Sequence, residues 1–423
     1  MKVFKFGGAS LKDPAGVRNV SAVLAQYPQD EILIVISAMG KMTNALEQVV
    51  EKHHRGEDYR HELSAIRQFH QDMVQALFSH RDHSIWAEVA MLFEQLELQL
   101  HNPNRLPYNA FYDRIVPYGE LLSTKIVSAY LQEIGLRNTW LDARRLIRTD
   151  QNHRFARVNW AYTRRLVQER IKPGQCYLIQ GFIGSDDDLQ ATTLGREGSD
   201  YTASILGYLL EAEEVIIWKD VPGVLNGDPK VFDEVALLRQ ISYREAIELA
   251  YYGASVIHPK TIQPLQEKGV PLRVKSFYHP AQTGTCISAG ATLEPLMPCF
   301  IKKTEQLLLT LRTRDLAFIV EEHLSKVYQI FHRYGVRVNL TQNTAISSAF
   351  CINYDPVLWP DLQDALQEDF ELSAQKEVNL YTVRHHDKAA RQKIRKAGDV
   401  LLEQRSSLTF QAVIAAAHSS QSA

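Results

Sequence analysis

Three short stretches of this chain combine residue types that could hold a polyanion: KFGGAS (5–10), SAMGKMTN (37–44) and TTLGREGSDYTASILGYLL (192–210). Lys5 closes an apolar run, KVFKF (2–6), and Gly7, Gly8 and Ser10 follow at once. An ammonium at the end of a buried strand, beside a turn nearly free of side chains, sets one cation and several backbone amides around one point. A surface lysine on a flexible turn is the plainer alternative. In the third stretch a loop rich in Gly and Thr runs into an amphipathic helix. Ser199 is read as its N-cap, and Ile205, Leu206, Leu209 and Leu210 as its buried stripe. A helix N-terminus preceded by glycine presents free amides to an anion. Two or three such turns on one sheet suggest a nucleotide triphosphate. Neither GxxxxGK[ST] nor GxGxxG occurs, so a Walker-type NTPase and a dinucleotide enzyme are not supported.

Positioning these loops requires strands that end at them. Apolar runs bounded by turn residues recur at 2–6, 32–38, 139–143, 176–184, 214–220 and 272–277, with helical patterns at 14–27, 43–56, 60–100, 119–135, 199–211 and 244–252. Strands alternating with helices predict an α/β fold, a mostly parallel sheet covered on both faces, with ligands at the C-terminal strand ends. The polar, helical stretch 53–116 reads as an insertion and a candidate lid. The Gly- and Pro-bearing stretch ISAGATLEPLMPCFIKK (287–303) reads as a linker. Beyond it, 304–386 follows the βαββαβ order of a ferredoxin-like domain. The remainder, 387–423, is a helix (387–405), a strand (408–414) and a tail, about half of a second such unit.

Composition narrows the class. The 423 residues are 45% apolar and 23% charged with a formal net charge of −2, which argues against a nucleic-acid or acidic-membrane binder. No run is long and apolar enough for a membrane span, and no apolar leader pattern precedes the first strand, so a cytoplasmic protein is expected. The four cysteines show no CxxC spacing and read as reduced thiols. His53, His54, His61, His70, His80 and His83 crowd one segment without metal-site spacing and read as a solvated helical face.

Taken together, KFGGAS, SAMGKMTN, YGELLSTK (118–125), TTLGREGSD and KDVPGVLNGDPK (219–230) resemble the aspartate kinases of the amino acid kinase family. The C-terminal region looks like that family's ACT regulatory domain. The resemblance implies transfer of the γ-phosphate of MgATP to the side-chain carboxylate of L-aspartate, the first step toward lysine, threonine and methionine. It implies that Lys5 neutralises the transferring phosphoryl group while Gly7, Gly8 and Ser10 donate to phosphates. Ser37 and Thr43 would line the phosphate and substrate pockets, and Glu120 would meet the substrate amino group. Arg196, helped by Ser199, would pair with the α-carboxylate. Asp200 would orient Lys5, and Asp220 would lie along the nucleotide. Mg2+ is expected on phosphates and water, with no protein ligand named.

Plainer roles stand beside these. Glu120 could be a first-turn helix acid, and Arg196 with Asp200 a structural ion pair. Lys275 faces the nucleotide or is an edge-strand lysine. The chain also departs from the family pattern. Lys219 replaces a usual threonine and would add a phosphate contact. Leu225 stands for a tyrosine, Lys230 for an arginine and Ala9 for a threonine. In the C-terminal region VNLTQNT (338–344), with Asn339 and Thr344, is the candidate contact for a lysine or threonine effector. The other reading is dimerisation through edge strands, a homodimer or dimer of dimers. Rival functions are a related kinase with another carboxylate acceptor and a non-catalytic amino-acid sensor.

Overall fold

The opening strand is apolar on both faces, as a strand covered by helices on either side must be. In the computed structural model, which describes residues 1–102, 106–254, 256–314 and 318–416, β1 (Lys2–Phe6) lies between β2 (Ile32–Ile36) and later strands. Val3, Phe4 and Phe6 are fully buried. The sheet continues through β3 (Thr139–Leu141) and β4 (Tyr177–Gln180). A small hairpin, β5 (Ile183–Ser185) and β6 (Ala191–Thr193), stands apart. Then come β7 (Val215–Lys219), β8 (Gln240–Ser242), β9 (Leu272–Ser276) and β10 (Thr285–Ser288). The order is β3-β4-β2-β1-β7-β9-β10-β8, with only the β9–β10 pair antiparallel. The chain builds outward from β1 to one side and returns to its other side at β7. That reversal opens a crevice beyond the C-terminal ends of β1, β2 and β7.

The helices are α1 (Pro14–Leu24), α2 (Met42–Arg55), α3 (Arg60–Leu77), α4 (Ile85–Leu100), α5 (Tyr108–Ile115), α6 (Tyr118–Glu133), α7 (Trp160–Arg170), α8 (Gly198–Leu209), α9 (Tyr243–Tyr252) and α10 (Pro259–Lys268). Asp13 caps α1 by accepting from the Gly16 amide at 2.8 Å. The helix read at 60–100 is two helices, α3 and α4. Gly56, at φ 73, stops α2: its amide and that of Glu57 bond back to His53 and Lys52, a Schellman closure. The histidine segment is not a uniformly solvated face. His70 is fully buried, its Nδ1 2.8 Å from the Ile66 carbonyl, and burial pushes it down to about 4.

The first compact unit comprises Met1–Val224, Leu237–Ile247 and Val256–Glu294. The second comprises Leu225–Ala236, a stretch starting at Glu248, and the chain from Pro295 onward. The second unit's sheet is antiparallel, from β11 (Cys299–Thr313), β12 (Val338–Asn343), β13 (Ser347–Asn353), β14 (Phe370–Arg384), β15 (Val400–Arg405) and β16 (Thr409–Ala415). Its helices are α11 (Glu321–Arg333), α12 (Trp359–Gln367) and α13 (Lys388–Arg395). The order β12-β13-β11-β14-β16-β15 contains an internal repeat. β11 and β14 pair along most of their length but break register between Lys303 and Leu308, and Glu305 and Glu377 both turn to φ 53. After each break comes strand, helix, strand, strand. Each repeat closes alike: the Tyr354 amide donates to Glu305 at 2.9 Å, and the Ala416 amide to Glu377 at 2.8 Å.

The repeat read as a fragment at 387–423 therefore starts ten residues earlier in β14 and borrows the first part of β11 as its fourth strand. Its helix also ends at Arg395 rather than 405, because Gly398 at φ 154 turns the chain into β15. A second helix is replaced by a loop residue. Phe232 packs 5.4 Å from Phe300 and joins Tyr381, Val383, Ile394 and Phe410 in the core. The first repeat is closed by α12 through Leu362 and Leu366.

Candidate active site

At the crevice the two glycine loops are stitched together. The Gly40 amide donates to the Gly8 carbonyl at 2.9 Å, and the Ser37 amide to Phe6 at 3.2 Å. Gly8 is dictated by space, since a Cβ there would sit 2.6 Å from the Ala38 carbonyl oxygen and 2.7 Å from that of Gly40. α8 starts at Gly198, and its N-cap is Glu197, left-handed at φ 54, not Ser199. The αL turn at Glu197 brings Ser199 into the first helical turn, against Gly181.

The charge centre of the site is Asp200, fully buried in that first turn. Lys5 Nζ lies 2.6 Å from its Oδ1 and Lys219 Nζ 3.2 Å from its Oδ2. Burial opposes its ionisation, but the two ammonium groups overcome this and hold the carboxyl well below the usual carboxylate range. Lys219 also donates to the Val256 carbonyl at 2.5 Å. Burial disfavours its charge, yet Asp200 and Glu197 keep its pKa raised. Burial and the Asp200 charge raise Glu197.

A cavity of about 520 Å3 opens here, lined among others by Lys5, Gly8, Ser37, Thr43, Glu120 and Arg196. Ser199 and Asp200 line it too. Glu120, in the first turn of α6, is 2% exposed; the Ala38 amide donates to its Oε1 at 3.2 Å, and its Oε2 has no partner among the described residues. Burial pushes its carboxyl up to about 8. The arrangement offers a fixed lysine, Lys5, for a transferring phosphoryl group, and an arginine and a carboxyl for an amino acid, while Lys219 holds Asp200 without lining the cavity.

Other expected residues lie elsewhere. Gly7 is not on the cavity wall, though a Cβ on it would sit 3.3 Å from Lys5 Nζ. Ser10 is buried and borders a neighbouring hollow with Asn19 and Tyr278. Lys275 is not an exposed edge-strand lysine: it is 9% exposed, with Nζ 3.0 Å from the Tyr27 hydroxyl and 5.1 Å from the Trp218 ring centre. Asp220 is exposed. Leu225 and Lys230 belong to the second unit, in the loop that Asn226 pins through the Pro298 carbonyl and the Ala236 amide. In β12, Asn339 bonds Lys303 at 2.8 Å, Gln306 at 2.7 Å and Asn353 at 2.6 Å, whereas Thr344 closes the β12–β13 turn on Ser347. Sequence reasoning missed Glu47, Tyr112, Arg154, Phe155 and Phe182, which also line the cavity. Glu47 alone had a signal, lying four residues beyond Thr43.

The amino acid kinase family model matches residues 1–276. The chain belongs to that family. Within it the aspartokinases stand near. Aspartokinase 1, chloroplastic, of Arabidopsis thaliana is 32% identical over 382 residues, 87% of this chain and 66% of the relative. Lysine-sensitive aspartokinase 3 of Escherichia coli is 31% identical over 354 residues, 83% of this chain and 78% of the relative. The match thus spans about two thirds of the plant relative's length. Escherichia coli aspartokinase III in complex with lysine and aspartate, in its T-state, superposes with a TM-score of 0.82 at 26% identity, over 98% of this chain and 96% of that one. The same enzyme with aspartate and ADP, in its R-state, gives 0.80 at 26% identity and equal coverage. In this amino acid kinase Lys219 stands as a second lysine on Asp200. Among the described residues no helix is long and apolar enough to cross a membrane.

Proposed function

We propose that this chain is an aspartate kinase, transferring the γ-phosphate of MgATP to the side-chain carboxylate of L-aspartate to give 4-phospho-L-aspartate. The observation that carries the reading is the Lys5–Asp200 pair at the sheet's switch point, in one cavity with Glu120 and Arg196, with Lys219 held on the second Asp200 oxygen behind the cavity wall. The acceptor carboxylate, with an ordinary pKa of about 3.9, is already ionised near neutrality and needs no general base. Phosphoryl transfer then depends on charge neutralisation and alignment. Asp200 holds the Lys5 ammonium on the cavity wall, so that it meets the phosphoryl oxygens without reorganising, and Lys219 keeps Asp200 ionised. Arg196 suits the α-carboxylate through its planar fork. Glu120, once ionised, suits the substrate ammonium. Both Asp200 oxygens are engaged by lysines, so Mg2+ is assigned to the phosphates and water.

The solved relative with lysine and aspartate, and the lysine-sensitive relative, support lysine as an effector, which we assign to the second unit. Its repeated antiparallel sheet is the place for it and for homodimerisation, in a cytoplasmic enzyme of lysine, threonine and methionine synthesis. The test is acyl phosphate formation from L-aspartate and MgATP, trapped with hydroxylamine, in the wild type, Lys5→Ala and Asp200→Asn. Turnover that falls at least about a thousandfold in both variants supports the reading, since each removes charge stabilisation from the transition state. A folded wild type that binds ATP and leaves aspartate unmodified refutes it.

A further inference from the structure

Arg154 is absent from every motif above, yet the fold builds it into the cavity wall with unusual care. Its backbone is left-handed, at φ 67, a conformation disfavoured for a residue with a side chain. Of the eight non-glycine residues with positive φ among the described residues, three line this one cavity: Arg154, Phe182 and Glu197. Such strain persists only where surroundings impose it. Here the surroundings are Asp113, a fully buried carboxylate on α5. Its oxygens accept from the Arg154 amide at 3.2 and 3.0 Å, from the Thr193 hydroxyl at 2.6 Å and from His153 Nδ1 at 3.0 Å. Asp113 therefore ties α5, the 153–155 loop and the end of β6 together. β6 leads directly into Gly195 and Arg196. A Cβ on Gly195 would lie 3.1 Å from the Arg154 carbonyl oxygen and 3.0 Å from the Phe155 ring, so the backbones of the two arginine loops touch.

The side chain is as deliberately held. The Arg154 guanidinium donates to Glu47 Oε1 at 2.7 Å and stacks 4.2 Å from the Tyr112 ring centre. Its partner Glu47 is itself on the cavity wall, one helical turn after Thr43. Both members of the pair keep about 30% side-chain exposure, so neither is locked in the interior. An ion pair of this kind on a pocket wall is readily exchanged for another carboxylate, because the guanidinium stays paired throughout.

We propose that Arg154 is a second carboxylate-binding arginine of the acceptor pocket, exchanging its Glu47 partner for the α-carboxylate beside Arg196 when the acceptor enters. A carboxylate has room for two forks, about four lone-pair sites. The proposal rests on the aspartate kinase reading and assigns how that site selects an α-amino dicarboxylate.

The experiment is steady-state kinetics with L-aspartate and MgATP for the wild type, Arg154→Ala, Arg154→Lys, Glu47→Gln and the Arg154→Ala/Glu47→Gln pair. Arg154→Ala should raise the KM for aspartate roughly 10- to 100-fold, the worth of a charge-assisted contact, while the KM for ATP stays within about twofold. Arg154→Lys, which keeps the charge and loses the fork, should fall between. Glu47→Gln should lower the KM for aspartate, and should do nothing once Arg154 is gone. An unchanged aspartate KM in Arg154→Ala overturns the assignment, as does a parallel rise in both KM values. So does a Glu47→Gln effect that survives without Arg154, since the carboxylate would then act on the substrate directly. A wild type inactive with aspartate but binding ATP overturns the kinase reading first and this assignment with it.

Discussion

Glu120→Gln should strengthen the fold and weaken the enzyme, and the first effect should depend on pH. The wild-type carboxyl is 2% exposed, with one amide donor and an Oε2 unpartnered among the described residues. Burial lifts it from the ordinary 4.5 to about 8. A raised carboxyl penalises the folded state as pH rises, because the unfolded chain releases the proton from about 4.5 upward and the folded chain holds it until about 8. At about 1.4 kcal/mol per pH unit this reaches roughly 3 kcal/mol at pH 7 and roughly 5 kcal/mol above pH 8. Glutamine has the shape of the protonated acid and no such pH dependence. Urea denaturation at pH 5, 7 and 8.5 should therefore show the variant gaining on the wild type by about 2–3 kcal/mol between the first two values. On the proposed pairing of Glu120 with the substrate ammonium, binding drives Glu120 to ionise, so at pH 7 aspartate should release a proton, visible as a dependence of calorimetric heat on buffer. The variant should release none and should bind aspartate more weakly. A stability difference independent of pH, or a glutamine variant weaker at every pH, would refute the argument.

Two further expectations concern packing. Gly8→Ala forces a Cβ into two backbone carbonyl oxygens at 2.6 and 2.7 Å, and should cost about 1–3 kcal/mol and weaken ATP binding, read by thermal denaturation and nucleotide titration. Leu366→Ala, at a fully buried position of the first antiparallel repeat, should cost about 2–5 kcal/mol. Fluorescence of Trp359, in the same core, should report that loss, while the unit carrying the cavity keeps its own transition.

Much of this was legible because it is local. KVFKF reads as a buried strand because Val3 and Phe4 put apolar side chains on both of its faces. KFGGAS and TTLGREGSD read as anion-holding turns from glycines next to a strand end and a helix start. These properties depend on steric freedom and hydrogen-bonding groups that travel with the residues themselves. The pairing of Lys5 with Asp200 was expected from family resemblance and stands in the structure at 2.6 Å.

What only the tertiary structure decided depends on neighbours distant in sequence. Lys219 became a second partner of Asp200 because α8 packs on β7, and Lys275 a lysine held by Tyr27 and Trp218 because β7 and β9 lie side by side. The C-terminal repeat looked truncated because its fourth strand precedes it in the chain and is shared through β11. Arg154 carried no signal because its importance comes from a buried aspartate 41 positions away and a glutamate 107 positions away. A side chain's type sets what it can bind. Burial and the company of remote charges set which of those capacities it uses, and those come into being only when the chain has closed on itself.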